Sequence, residues 1–381
     1  MRIALLSTDP GIPWGAPKGA AVHLAEMASA LTAVGAEVLV IAPEAGEVEG
    51  APRGAVLEPL PGPGKGASAA ERLAGEPERT GWLESRVREF GAEALYERFA
   101  LHTAAGAAAA RALGLVHLVE LNAPLREEAA RYRSLEEPVE AERLEREVMT
   151  GAQRIFCVSS PLVDYALERG ARRVELAPNA VALERFEGSS GREPRARGSD
   201  DGRPVAVFAG ALRPWHGVEA IAEAWRLLGA DAPRLLVAGE GPGRAALAAA
   251  GAELVGVVAH ERMPSVLRAA DIGLAPYASD APSYFSPLKL FEYMAAGLAV
   301  VAGDLPGVRD VADRETAVLI PPGDAEALAR AVADLAADAP ERRRMGEAAR
   351  ALVGERHSWR QRARRVLQAA GEAEVPTLSV R

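Results

Sequence analysis

Ser283-Tyr-Phe-Ser-Pro-Leu-Lys-Leu-Phe-Glu-Tyr-Met-Ala-Ala-Gly297, continued by the apolar run Leu298-Ala-Val-Val-Ala302, holds a helix, its punctuation and a following strand in one stretch. Ser286 suits an N-cap, Pro287 the first helical position and Gly297 a left-handed C-cap, so the spacing predicts a helix over 287–296 and a buried strand behind it. A helix opening in this way turns the backbone N–H groups of Leu288 and Lys289 toward an anion, phosphate above all, aided by the positive end of the helix dipole. Glu292 is a carboxylate in an otherwise apolar helix and needs a partner such as sugar or ribose hydroxyls. The plain alternative is an ordinary capped helix with Glu292 turned to water.

The same alternation of apolar strand, turn and helix extends in both directions. Upstream lie the strand 205–209, the loop Gly210-Ala-Leu-Arg-Pro-Trp-His-Gly217 and the helix 218–228. They are followed by the strand 235–238 with the turn Gly239-Glu-Gly-Pro-Gly243, and by the strands 254–258 and 270–276; downstream lie 317–320 and the helices 324–335 and 343–353. The first half repeats the pattern: strand 2–6, a turn-rich loop ending in Lys18-Gly19, helix 22–34 and strand 37–42, then strands 94–98, 115–122 and 154–159. On the strand 115–122 the period of two puts Glu120 and Asn122 on one side. Strand, loop, helix, strand repeated in this way predicts an α/β chain of two doubly wound, Rossmann-like parallel-sheet domains, with ligands at the carboxyl ends of the strands. We place the domains at 1–187 and 204–355, the Gly-, Ser- and Arg-rich linker at 188–203, and a basic C-terminal helix at 356–381 that crosses back to the first domain.

Composition narrows the function classes. The 381 residues exceed one ordinary core. A net charge of −9, from 53 acidic and 44 basic residues, argues against a general nucleic-acid binder. Cys157, the one cysteine, permits no internal disulfide and reads as a small buried apolar residue in a reducing compartment. With no apolar stretch long enough to cross a bilayer, the expectation is a cytoplasmic protein whose only membrane contact would be peripheral. Residues 126–149, dense in Glu and Arg, read as a solvated helical excursion. The run Pro59–Ser68 lacks the Gly-x4-Gly-Lys-Ser/Thr spacing of a phosphate loop and reads as a surface loop, and no Gly-x-Gly-x-x-Gly follows the first strand.

On these motifs the chain resembles the retaining family 4 glycosyltransferases of the GT-B fold (glycosyl transferases group 1). The wording Ser-Pro-Leu-Lys-Leu-Phe-Glu-Tyr-Met is similar to that of a recurrent subgroup. In that family a Glu-x7-Glu pair brackets this helix. Glu292 matches the second Glu, which implies a ribose contact, whereas Tyr284 stands where the first would touch the donor sugar. Gly19 matches the glycine that lets the donor diphosphate approach the backbone, with Lys18 in place of the preceding glycine. The loop 210–217 matches Gly-x-Leu-x-Pro-x-Lys-Gly, which implies that Arg213 and His216 hold the diphosphate, the latter as a pH-dependent cation at the lysine position. Asn122 stands where the family commonly has an active-site His; His117, five residues upstream, reads as structural.

The resemblance, with the strand alternation that turns Glu120 and Asn122 to the expected cleft, gives a candidate catalytic set of Gly19, Glu120, Asn122, Arg213 and His216. The implied donor site is Gly19, Arg213, His216, Gly239, Gly241, Val257, Ser286, Leu288, Lys289 and Glu292, in a cleft between the domains. It implies transfer of a sugar from a nucleotide-diphosphate sugar, a co-substrate rather than a cofactor, to a small-molecule or glycan acceptor with retention of configuration. The chain lacks Asp-x-Asp, so no metal is expected. The rival readings are a nucleotide-sugar 2-epimerase, which needs further carboxylates, and an inactive nucleotide-sugar binding protein.

Overall fold

Thirteen short, apolar strands build two parallel sheets in the computed structural model, which describes residues 1–16, 19–43, 52–187 and 202–372. The chain divides into one unit of residues 1–177 and 359–381 and a second of residues 178–358. In the first, β1 (Arg2–Ser7), β2 (Glu37–Ala42), β3 (Ala55–Pro59), β4 (Ala94–Arg98), β5 (Val116–Leu121), β6 (Arg154–Cys157) and β7 (Val174–Leu176) form a seven-stranded sheet. Its order is β3-β2-β1-β4-β5-β6-β7. In the second, β8 (Val205–Ala209), β9 (Arg234–Ala238), β10 (Glu253–Gly256), β11 (Ile272–Ala275), β12 (Ala299–Gly303) and β13 (Ala317–Ile320) run in the order β10-β9-β8-β11-β12-β13. This is the pair of Rossmann-like sheets expected of the GT-B class.

Continuous apolar runs such as Ile3–Leu6 and Val38–Ile41 form central strands because helices cover both faces of a parallel sheet, leaving no solvated side. The strand order reverses between β1 and β4 and again between β8 and β11, and crevices open at the carboxyl ends where it does so. The two strands that periodicity misses, β3 and β7, are edges. β3 is half-exposed, with Val56 50% accessible, and ends on a proline, which an edge tolerates.

The boundaries differ from those read in the sequence. The first unit ends at Ala177, so the turn Pro178-Asn-Ala-Val181 opens the second, and the helix Trp359–Glu372 groups with the first unit. Most of the expected linker, residues 188–201, lies outside the described residues, as does Lys18. The charged stretch 126–149 is two helices, Leu125–Tyr132 and Pro138–Gly151, and is more than a solvated excursion. The second helix buries Leu144, Val148 and Met149, together with Glu145, which takes bonds from Arg126 (2.9 Å), Arg169 (3.1 Å) and the Tyr165 hydroxyl. Cys157 is buried, and burial pushes its thiol up to about 12.

Candidate functional site

The helix that opened the sequence reading spans Leu288–Ala295, with Gly297 left-handed behind it (φ 72°). Its anchor is Tyr293. The Tyr293 hydroxyl accepts from the Ala209 N–H (2.7 Å) and donates to the Leu274 carbonyl (3.3 Å), which binds the helix to the ends of both strands flanking the reversal in the second sheet. Pro287 occupies the N-cap and no side chain caps the helix. The expected cap, Ser286, is turned instead to Asn179: its hydroxyl accepts from the Asn179 N–H (3.0 Å) and its carbonyl from Asn179 Nδ2 (2.6 Å). A backbone donor and an amide together outbid a terminal helix N–H. The first-turn amides of Leu288 and Lys289 consequently have no intrahelical acceptor and no side-chain cap.

Lys289 carries its ammonium 4.1 Å from the centre of the buried Phe208 ring and 6.0 Å from that of Tyr277. That ammonium is buried and has no hydrogen-bond partner among the described residues. Burial pushes Lys289 down to about 7, against the pull of the Glu292 carboxylate. A Cβ added to Gly210 (φ 134°) would stand 3.2 Å from this nitrogen. The Gly210 loop is in turn held by the next one. Gly210 N–H donates to Ala238 O and Leu212 N–H to Glu240 O (2.9 Å each). A Cβ on Gly239 (φ 153°) would stand 1.9 Å from Gly210 O, so this glycine is required for loop-to-loop packing whatever else it contacts. Gly241 lies in the same turn, and Val257, beyond β10, is 77% exposed.

The expected cation at His216 is reversed. Its Nδ1–H donates to the Ala211 carbonyl (2.6 Å), closing the loop, and burial, reinforced by Lys289 and Arg213, pushes the imidazole down to about 4. At neutral pH it is uncharged, with Nε2 available as an acceptor. Arg213 is exposed, its guanidinium 5.8 Å from the Trp215 ring. Glu292 lies 3.6 Å from His260 Nδ1, and Tyr284 packs edge-on against Phe285 (5.3 Å between ring centres).

Sequence reasoning missed Tyr277, just beyond β11. It holds φ 55°, a backbone region few large residues adopt, and its hydroxyl is buried without a partner among the described residues. The Gly323 N–H donates to its carbonyl (2.9 Å), and Gly217 leaves room for its backbone, where a Cβ would meet the Tyr277 carbonyl at 2.8 Å. No local pattern announces a positive φ at a tyrosine. Its only signal is its place at the end of a strand beside the reversal.

In the first unit the expected catalytic Glu120 is 1% exposed and serves as an internal hub. It takes bonds from His23 Nε2 (2.7 Å), Asn122 Nδ2 (2.6 Å), Arg362 Nη2 (3.1 Å) and the Tyr96 hydroxyl, with Arg98 Nη1 at 3.4 Å. Burial alone would raise its pKa. His23, Arg362 and Arg98 outweigh burial and hold the carboxylate well below its ordinary range. Asn122 is spent on Glu120 and Arg98. Glu120 is thus no reachable acid or base; it ties the helix Gly19–Ala33, β4, β5 and the helix Trp359–Glu372 together. His117 is a structural partner of buried Glu97 (2.8 Å). Gly19 is exposed at the first position of its helix. Among the described residues no group of three or more His, Cys, Asp or Glu is placed to hold a metal, and no helix is long and apolar enough to cross a membrane.

Residues 17–185 match the model described as Glycosyltransferase Family 4, and residues 203–338 that described as Glycosyl transferases group 1. A GDP-mannose-dependent alpha-mannosyltransferase of Mycobacterium tuberculosis is 31% identical over 211 residues, 55% of this chain and 53% of that protein. The chain spans about half the length of the curated relatives it matches. Among solved structures, sucrose-phosphate synthase of Thermosynechococcus elongatus superposes with a TM-score of 0.73 at 20% identity, over 96% of this chain and 97% of that one. The Anabaena protein HepE, solved with UDP, gives 0.69 at 15% identity, over 97% and 100%. The first part of the chain thus matches the Glycosyltransferase Family 4 model and the second part the Glycosyl transferases group 1 model.

Proposed function

We propose that this protein is a glycosyltransferase that takes a sugar from a nucleotide-diphosphate sugar and passes it to an acceptor with retention of configuration. The observation that carries the reading is the buried Lys289 ammonium, without a partner among the described residues, beside Gly210 and the uncapped first turn of the helix Leu288–Ala295. An unpaired ammonium out of water is costly, and an arriving diphosphate offsets that cost. The four-carbon stem lets the ammonium swing to the anion, as a packed guanidinium could not. When the sugar–phosphate bond breaks, negative charge grows on the leaving diphosphate; Lys289, the exposed Arg213 and the amides of Leu288 and Lys289 stabilise it, and neutral His216 supplies no charge. These groups do the work without a metal in this proposal, and turnover is expected to survive EDTA. Glu292 takes the ribose hydroxyls. The names of the relatives, one dependent on GDP-mannose and one solved with UDP, support a nucleotide-sugar donor and leave the base open.

Calorimetry with UDP and GDP tests the donor half: binding of at least one, weakened about tenfold or more by Lys289→Gln, is expected for loss of a hydrogen bond to a charged group. Failure of both to bind the folded protein would sink the proposal. Retention is read from the anomeric proton coupling of the product.

A further inference from the structure

The proline- and glycine-rich run that reads as a surface loop lines a cavity of about 470 Å³ wholly within the first unit, at the carboxyl ends of β1 to β4 and beside the reversal between β1 and β4. Its size is that of a small-molecule site, about 300–1,000 Å³. Its chemistry is unlike that of the chain as a whole. In a protein of net charge −9, the lining includes Lys65, Arg72 and Arg79 and, among the described residues, no Asp or Glu.

Arg79 is 7% exposed, and only one of its faces is satisfied. Nη2 donates to the Arg72 carbonyl (2.7 Å) and pairs with Glu76 (3.0 Å), while Nε is buried with no partner among the described residues. Arg72 Nε and Thr8 Oγ1, on two other residues of the lining, are likewise buried without partners among the described residues. Glu76, the nearby carboxylate, is divided among Arg79, the Thr103 hydroxyl (2.9 Å) and the Ala104 N–H (2.7 Å), so it cannot neutralise the three cations. Leaving a buried donor unsatisfied is costly, and a ligand oxygen can recover that cost. A guanidinium fork suits a planar or tetrahedral oxyanion, and the proline rings from the loops after β1, β2 and β3 offer an apolar wall for the rest of the molecule.

We propose that this cavity binds a small molecule through its phosphate or carboxylate group, held by Arg79, Arg72 and Lys65. Identifying that molecule as the acceptor rests on the glycosyltransferase reading; the oxyanion site itself does not.

The test uses the full chain carrying Lys289→Gln, so that the anion-binding lysine of the second unit does not contribute. Calorimetry compares glucose 6-phosphate, glucuronate and glucose. At least one of the two anions should bind about tenfold more tightly than glucose, and which one does so separates phosphate from carboxylate. Adding Lys65→Glu with Arg72→Gln, at positions that are not fully buried, should weaken the anion about tenfold with the melting temperature nearly unchanged, and Arg79→Gln should weaken it further. The proposal is overturned if neither anion binds more tightly than glucose at millimolar concentration, or if the Lys65/Arg72 variant binds as tightly as its parent. UDP and GDP binding by the wild type is measured separately: its absence would sink the glycosyltransferase reading and leave the oxyanion site standing.

Discussion

Lys289 sits with its ammonium 4.1 Å above the Phe208 ring centre, and no acceptor among the described residues reaches it. A charge kept in so apolar a place is readily lost, so the anion site proposed for the second unit works best when the solution keeps the lysine protonated.

The first prediction is the pH profile of donor binding. With Lys289 at about 7 in the free protein and raised again by a bound anion, nucleotide-diphosphate affinity should fall as pH rises from 7 to 9. In Lys289→Gln the affinity should be lower and nearly flat across the same range. A wild-type profile that is flat would remove Lys289 from the site.

His216 should not contribute to that profile. Its imidazole is neutral throughout, so His216→Ala should leave the slope between pH 6 and 9 unchanged. The same substitution removes the Nδ1–H bond to Ala211 O and should cost about 0.5–1.5 kcal/mol of stability, measured by denaturant unfolding. A slope that disappears with His216 would return the titrating role to the histidine.

Glu292→Ala should weaken nucleotide-diphosphate binding by about 1.5–3 kcal/mol, the range for hydrogen bonds to a charged group. Comparing the nucleotide with its 2′,3′-dideoxy form locates the effect: the mutant should no longer distinguish the two. Equal discrimination in mutant and wild type would rule out the ribose contact.

Glu120→Gln should destabilise the protein by about 3–5 kcal/mol, because Arg362 and Arg98 lose the carboxylate that compensates their burial. The sign with pH follows from the depressed carboxylate. Its stabilisation is complete above the ordinary value of 4.5 and is lost as pH falls through its lower folded value. Wild-type melting temperature should therefore drop in acid more steeply than that of Glu120→Gln. Were the mutant as stable as the wild type but inactive, a chemical role for Glu120 would be restored.

The sequence by itself determined the two parallel sheets, because central strands buried on both faces must be written as continuous apolar runs separated by turn and helix signals; β2, β4, β8 and β13 lie at the residues periodicity gives. It also brought the Gly210 loop and the helix at Leu288 forward together, since both carry capping and turn residues at fixed spacing. Edge strands and functional polarity are not written that way. β3 and β7 form only through pairing with a neighbour, and Ser286 turns from helix cap to Asn179 partner because a residue from the turn at 178–181 arrives with two donors. Only the tertiary structure decided which charged groups are buried. Glu120 looks like an exposed acid until two arginines distant in the chain close on it, whereas Lys289 looks like an ordinary helix lysine until Phe208 and Tyr277 enclose its ammonium. The cost of burying a charge depends on long-range neighbours that no local spacing encodes.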